Sequence, residues 1–250
     1  MKQLLTLCLF GAALSMASPL TLGTNWIVNG DAESGAGSPS GGVVSVPGWL
    51  QFNSDPLFTA VQYEPVSAGG FPSLTDPGPL SRGVNFFAGG PDVGLSVGKQ
   101  SVDISQYAVE IDQGALTFVL SGYFGGWQNQ DDWGKLIVFF FDAGSGSSSW
   151  EILGPMAAGR ANQTGLFLAS ATSTIPVGTR TLEFRLVMNR TAGAYNDGYA
   201  DNLSFVATSN AAAPEPATAW LAALGLAAAV VTKKGFKAAK SGFVCRLTLR

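Results

Sequence analysis

The chain of 250 residues carries 14 Lys and Arg against 17 Asp and Glu, has no histidine, and has two cysteines, Cys8 and Cys245. The missing histidine removes the usual general base near neutral pH and the commonest transition-metal ligand, and without paired thiols the composition speaks against zinc and copper centres. Lys2 and six residues near the end (Lys233, Lys234, Lys237, Lys240, Arg246 and Arg250) hold half of the cations, so the body between them, with seven cations against sixteen acids once Glu215 is set aside, stands near −9. Such a body repels phosphate backbones, so nucleic acid is a poor partner; hard cations with oxygen ligands suit it better.

At the start, Lys2, the apolar stretch Leu4 to Ala13 and the small residues Ser15-Met16-Ala17 predict a secretory signal peptide over 1–17, cut after Ala17. Both cysteines then fall outside the mature body, which is expected to hold together without a disulfide; close to 200 residues are enough to bury a full core. From Ser18 the pattern is one of short strands and turns, with no helix predicted before Pro214. Trp26 to Val28 is a first apolar touch, and a Gly/Ser/Pro-rich loop runs to Pro47-Gly48-Trp49. From Asp55 to Arg82 the prolines and glycines permit only brief extended pieces. Val84–Ala88 and Lys99–Ile104 read as strands separated by turns over 89–98.

The second half alternates more regularly. Leu116, Phe118 and Leu120 share one face of a strand over 115–124, and Leu136–Phe141 is a continuous apolar run of the kind buried on both sides. Trp150–Leu153 and Leu166–Ala171 follow. Over 181–188, Leu182, Phe184, Leu186 and Met188 point inward while Thr181, Glu183 and Arg185 point outward. Tyr199–Ala207 is the last strand. Many short alternating strands without an internal repeat predict one all-β domain, a sandwich or jelly roll, over 18–208.

The stretch richest in ligand-binding groups is Gly125 to Gly134. Trp127 and Trp133 offer flat rings for sugar C–H edges, and Gln128, Gln130, Asp131 and Asp132 offer partners for hydroxyls. Tyr123 and Trp49 are candidates to join them in space. The competing structural reading has both tryptophans capping the core.

Asn29-Gly30-Asp31-Ala32-Glu33, Pro47-Gly48-Trp49 and the closing run Asn196 to Phe205 resemble the opening and closing motifs of galactose-binding-like jelly rolls, a fold shared by several families of carbohydrate-binding modules. The resemblance implies that the first and last strands lie together and that a structural calcium ion joins them, with Glu33 and Asp201 as side-chain ligands and Asp31 or Asn29 beside them. Read without the resemblance, Asp31 and Asp201 simply make local turn hydrogen bonds.

At the far end, Pro214-Glu215-Pro216 precedes an uncharged run over 217–232 and a lysine-rich tail over 233–250, with a small-residue linker leading in from position 209. The run predicts a single transmembrane helix, short against the roughly 20 residues that a bilayer core asks for, and the lysines place the tail on the cytoplasmic side. The order of motif, apolar run and basic tail resembles the sorting signal of bacterial PEP-CTERM proteins. It implies export, inner-membrane anchoring, removal of the tail by an exosortase-type enzyme, and a final place at the cell surface or in extracellular matrix.

Gly94-Leu95-Ser96-Val97-Gly98 matches the G-x-S-x-G pattern of serine hydrolases, yet no histidine exists to take the proton. The sequence therefore predicts a non-catalytic exported protein that binds or organises extracellular polysaccharide, with no redox or organic cofactor. A purely structural envelope protein is the alternative. A glycoside hydrolase, which would need two carboxylates facing each other across a groove, is the more distant one.

Overall fold

Alternation of apolar and polar residues builds nearly all of the regular structure. The computed structural model describes residues 20–65, 69–144 and 146–210; the predicted signal peptide, the Pro214-Glu215-Pro216 motif, the transmembrane run and the basic tail lie outside them. Among the described residues no helix is long and apolar enough to cross a membrane. The strands are β1 (Leu50–Gln51), β2 (Thr59–Gln62), β3 (Asn85–Pro91), β4 (Leu95–Asp103), β5 (Leu116–Gly126), β6 (Trp133–Asp142), β7 (Ser147–Leu153), β8 (Gly165–Thr174), β9 (Thr179–Asn189) and β10 (Tyr195–Ser209). One short helix, α1 (Ala108–Asp112), which the sequence pattern did not predict, fills the connection between β4 and β5.

All the pairings between these strands are antiparallel, and they form two five-stranded sheets. The first has the order β1-β4-β9-β6-β7 and the second β2-β3-β10-β5-β8. Successive strands pass repeatedly from one sheet to the other, the interleaving that makes a sandwich. The inward faces meet in one core in which Leu116, Phe118 and Leu120 of β5, Leu136, Val138 and Phe140 of β6, Leu182, Phe184, Leu186 and Met188 of β9, and Leu203 and Phe205 of β10 are essentially inaccessible. Phe118 stacks on Phe205 at 4.9 Å between ring centroids, so the centre of the sandwich is aromatic. Trp49, considered as a sugar-binding ring, is buried here beside Phe58 and Phe87.

Several elements run further than their sequence pattern suggests. Gly89, Gly90 and Pro91 belong to β3 and Leu95 to Gly98 to β4, which leaves only a tight connection where turns over 89–98 were expected. β10 pairs with Gly90, at φ 105°, across a register shift, and β9 pairs with Gly98, so neighbouring strands draw these glycines into the sheets despite their weak intrinsic preference for strands. Leu136–Phe141 is buried on one side only: Ile137, Phe139 and Phe141 are half-exposed on the outer face.

The opening segment lies along the closing strand. Asn25 bridges Val206, the N–H groups of Gly23 and Trp26 donate to the Ala207 and Phe205 carbonyls, and Leu203 N–H donates to the Gly30 carbonyl at 2.8 Å. A Cβ on Gly30 would overlap that Leu203 carbonyl, so a side chain is barred there. The β10–β5 register shifts between Asp201 and Ser204, with Asn202 in the left-handed region at φ 48°. This is a bulge, at a residue type that tolerates that conformation. It sets Asp201 against buried Tyr63 while Leu203 and Phe205 join the core between the sheets.

Candidate functional site

The loop after β5 is a tightly tied structure. Asp132 is fully buried and its Oδ1 accepts from Thr191 N–H at 2.6 Å, Thr191 Oγ1 at 3.0 Å and Ala192 N–H at 3.2 Å, while Oδ2 accepts from Asp197 N–H at 2.8 Å. Arg160, 1% exposed, donates from the facing loop to the carbonyls of Gln128, Gln130, Pro155 and Gln163. Burial lowers its basicity, and the carboxylates of Asp131, Asp132 and Asp197 work in the opposite direction. Asp131 accepts from Ala157 N–H at 3.0 Å. Gln130, with its amide turned to donate, reaches Asp197 Oδ2 at 3.2 Å. Gln128 is exposed, with its backbone N–H on Thr164 Oγ1.

The two tryptophans of this loop are carried to different faces. Trp127 is half-buried on the outer side of the second sheet, against a cluster that includes Tyr123, Tyr195, Phe71 and Tyr199. Trp133 starts β6 and, by the alternation that buries Leu136 and Val138, points out of the first sheet. The six loop residues singled out from the sequence therefore do not converge on one ligand. Asp131 and Asp132 do not face each other across a groove either, because Asp132 is enclosed by its four donors.

The outer face of the first sheet gathers a set that the sequence pattern missed. Registers place Lys99 of β4 opposite Arg185 of β9 and Arg185 opposite Ile137 of β6. In the next rank Ser101, Glu183 and Phe139 are neighbours. The Arg185 guanidinium lies between two rings, 4.0 Å from the centroid of Phe52 and 4.2 Å from that of Phe139. Its Nη2 meets Glu183 Oε1 at 2.6 Å, and Lys99 Nζ meets Glu183 Oε2 at 3.5 Å. Phe141, Lys135 and Trp133 extend the same face, with Lys135 Nζ 5.7 Å from the Trp133 ring. Half-exposed Phe52, Phe139, Phe141 and Trp133 thus alternate with fixed polar groups. With both faces of Arg185 covered, only its edge remains for hydrogen bonding. The arrangement offers flat apolar platforms and oriented donors and acceptors, with no nucleophile–base pair.

The carboxylates associated above with calcium lie near the bulge in β10. Asp201, 0% exposed, accepts from the Tyr63 hydroxyl at 2.7 Å and from Asn202 N–H at 2.7 Å. Glu33 Oε1 accepts from the N–H groups of Val84 and Asn85 at 2.8 and 2.7 Å, and Asp31 Oδ1 accepts from Glu33 N–H at 3.3 Å. Calcium asks for six to eight converging oxygens. Among the described residues no group of three acids, histidines or cysteines converges as a metal site, and the carboxylate oxygens named here face hydrogen-bond donors. Burial, with Glu33 and Asp31 nearby, pushes the Asp201 carboxyl up to about 8 against the pull of its two donors. Asp197 shows the same effect more weakly, raised by burial to about 6 with the Tyr199 hydroxyl on its Oδ1 at 2.5 Å. Ser96 of the G-x-S-x-G match is buried within β4 and its hydroxyl lacks a partner, so it faces no substrate.

Fold and face together define a class: an antiparallel two-sheet sandwich with an aromatic and charged outer sheet face. No protein-family profile matches the chain, and no curated protein matches it. Among solved structures it is similar to a family 16 carbohydrate-binding module-2, at 20% identity over 73% of this chain and 99% of that one, with a TM-score of 0.45. It is also similar to TmCBM61 in complex with beta-1,4-galactotriose, at 15% identity over 74% and 98% with a TM-score of 0.40. A third similarity is to the enzymatically active domain of tailspike protein 4 of bacteriophage CBA120, at 15% identity and a TM-score of 0.42, where 74% of this chain spans only 22% of that one. Similarities at this level carry no argument about ligand or activity.

Proposed function

We propose that this is a non-catalytic, exported protein whose sandwich, of galactose-binding-like jelly-roll type, binds or organises extracellular polysaccharide. In this reading a signal peptide over 1–17 exports it, the run over 217–232 anchors it in the inner membrane, and an exosortase-type enzyme acting at Pro214-Glu215-Pro216 releases it to the cell surface or matrix. The observation that carries the glycan reading is the outer face of the first sheet, where half-exposed Trp133, Phe139, Phe141 and Phe52 are interleaved with Lys99, Glu183 and Arg185. Sugar rings are recognised by such pairing of flat aromatic surface with a few fixed polar groups. Trp133 is the one member of the loop set that this face recruits.

A glycan array probed with purified residues 20–210, which hold both sheets and the core, tests this. Binding that is lost in Trp133→Ala and in Phe139→Ala, with the melting transition kept, is the expected result. Silence across acidic and neutral polysaccharides would leave the purely structural role. Binding that survives both substitutions would move the ligand away from this face.

A further inference from the structure

Every sheet edge in a sandwich presents unpaired backbone groups, and proteins normally blunt them with charge, proline, a bulge or a covering segment. Three of the four edges here are managed in that way. The edge of β2 is closed by Ser38, whose N–H donates to the Ala60 carbonyl at 2.8 Å and whose carbonyl accepts from Gln62 N–H at 3.0 Å. The edge strand β1 has only two residues, and β7 carries Glu151.

β8 is different. It runs ten residues without a charge or a proline, and it pairs with β5 without a register shift from Gly165↔Gly126 to Thr174↔Thr117. The N–H of Ile175 donates to Leu116 on the β5 side, whereas that of Leu166 turns the other way and donates to the Pro77 carbonyl. Antiparallel strands alternate in this respect, so Leu168, Ser170, Thr172 and Thr174 direct both N–H and C=O to the free edge. Among the described residues nothing bonds to them there. Their side chains are exposed, Leu168 to 60%.

The charge-free zone extends inward, since β5 has no charged residue and β10 has none from Asn202 to Ser209. In a body near −9, copies repel one another over most of the surface. This strip is where two copies meet without opposing like charges, and depletion of charge is what marks the core of an interface.

We infer that two copies of this chain associate through β8, antiparallel about a two-fold axis, and so continue the second sheet across the dimer. The register that uses all four free residues pairs Leu168 with Thr174 and Ser170 with Thr172 of the other copy, and sets Ala171 opposite its own equivalent. Roughly eight main-chain hydrogen bonds form, because each hydrogen-bonded pair exchanges two. A heterologous ligand would need side-chain features to select it, and the strip has few. An isologous contact needs only self-complementarity. The association does not depend on the glycan reading, because β8 lies in the other sheet.

The mass of residues 20–210 measured over a concentration series by sedimentation or light scattering is the test. The expected result is a monomer–dimer equilibrium that the paired substitution Ser170→Lys and Thr172→Lys shifts to monomer, with circular dichroism and melting unchanged. The fragment has no cysteine, so Ala171→Cys reports the register directly: oxidation should yield a covalent dimer, while Val119→Cys, on β5 one strand in from the edge, should not. A monomer at every concentration, a dimer that survives the two lysines, or no cross-link through position 171 overturns the inference.

Discussion

Asp201→Asn tests whether one buried carboxyl governs how the stability of this sandwich depends on pH. Tyr63 Oη and Asn202 N–H both donate to Asp201, and Glu33 and Asp31 are its acidic neighbours. Arg82 lies over the Tyr63 ring, 5.3 Å from its centroid, and acts electrostatically on the Tyr63 hydroxyl, which burial raises in turn. Burial dominates, and Asp201 titrates at about 8 in the folded protein against about 4 in the unfolded chain. Between those values the native state holds one more proton than the unfolded state. The carboxyl's contribution to stability is therefore complete at acid pH and is lost as pH rises through 8, by about 1.4 kcal/mol per pH unit.

Asp197 adds a slope of the same sign only below about 6, which leaves the interval from pH 6 to 8 to Asp201. Across it the wild type should lose on the order of 2–3 kcal/mol, a fall of about 5–10 °C in melting temperature for a domain of this size. Asp201→Asn cannot titrate and should flatten the curve, whatever constant penalty it brings by offering an amide N–H₂ where two donors point. Thermal melts by circular dichroism in half-unit steps of pH decide the matter. A wild-type midpoint that is flat or rises from 6 to 8, or a variant with the same slope as the wild type, would refute the reasoning.

Three further outcomes follow from the same structure. Arg160→Met keeps the apolar stem but leaves four carbonyls in a buried loop junction without their donor, and should cost about 3–5 kcal/mol in denaturant unfolding; a loss below about 1 kcal/mol would mean that water replaces the guanidinium. Gly30→Ala sets a methyl against the Leu203 carbonyl and should destabilise by at least about 2 kcal/mol through separation of the opening segment from β10, read as faster amide exchange at Leu203. Phe205→Ala removes a ring stacked on Phe118 and packed on Phe184 and Trp26, and chemical denaturation should show a loss of about 3–5 kcal/mol.

How far the sequence reveals this protein depends on whether the deciding contact is local. Period-two alternation in Thr181–Met188 places Leu182, Phe184, Leu186 and Met188 inside and Glu183 and Arg185 outside, as the structure has them. Pairing of the first and last segments was also legible, through the two motif-rich ends. The limits of β3, β4 and β8 were not, because the glycines, Pro91 and Asp92 over 89–98 and the small residues Ser170, Ala171 and Ser173 are poor strand signals until a neighbouring strand supplies hydrogen bonds. The site was harder still. Trp127 and Trp133 are six residues apart in one loop and exit on opposite sides of the sandwich, which no spacing rule shows. Phe52, Lys99, Phe139 and Arg185 come from four separate stretches and become neighbours only once the register is known. Asp132, which the sequence offers as a ligand-binding group, is spent together with Arg160 on holding the loop.

The closing strand has a mechanical consequence. β10 enters the sheet beside the loop over 190–194, ends at Ser209 at the opposite end, and stays bonded to β5 from Tyr199 to Ser209 apart from the single bulge. A pull at Asn210 directed along the strand would load these bonds in parallel, as shear, whereas a pull across the strand would open them one after another. Gly23 and Trp26 brace the same stretch from the other side. A domain suspended from that point bears tension through its most heavily tied strand, while the loops that join β5 to β6 and β9 to β10 are held at the pole farthest from the load.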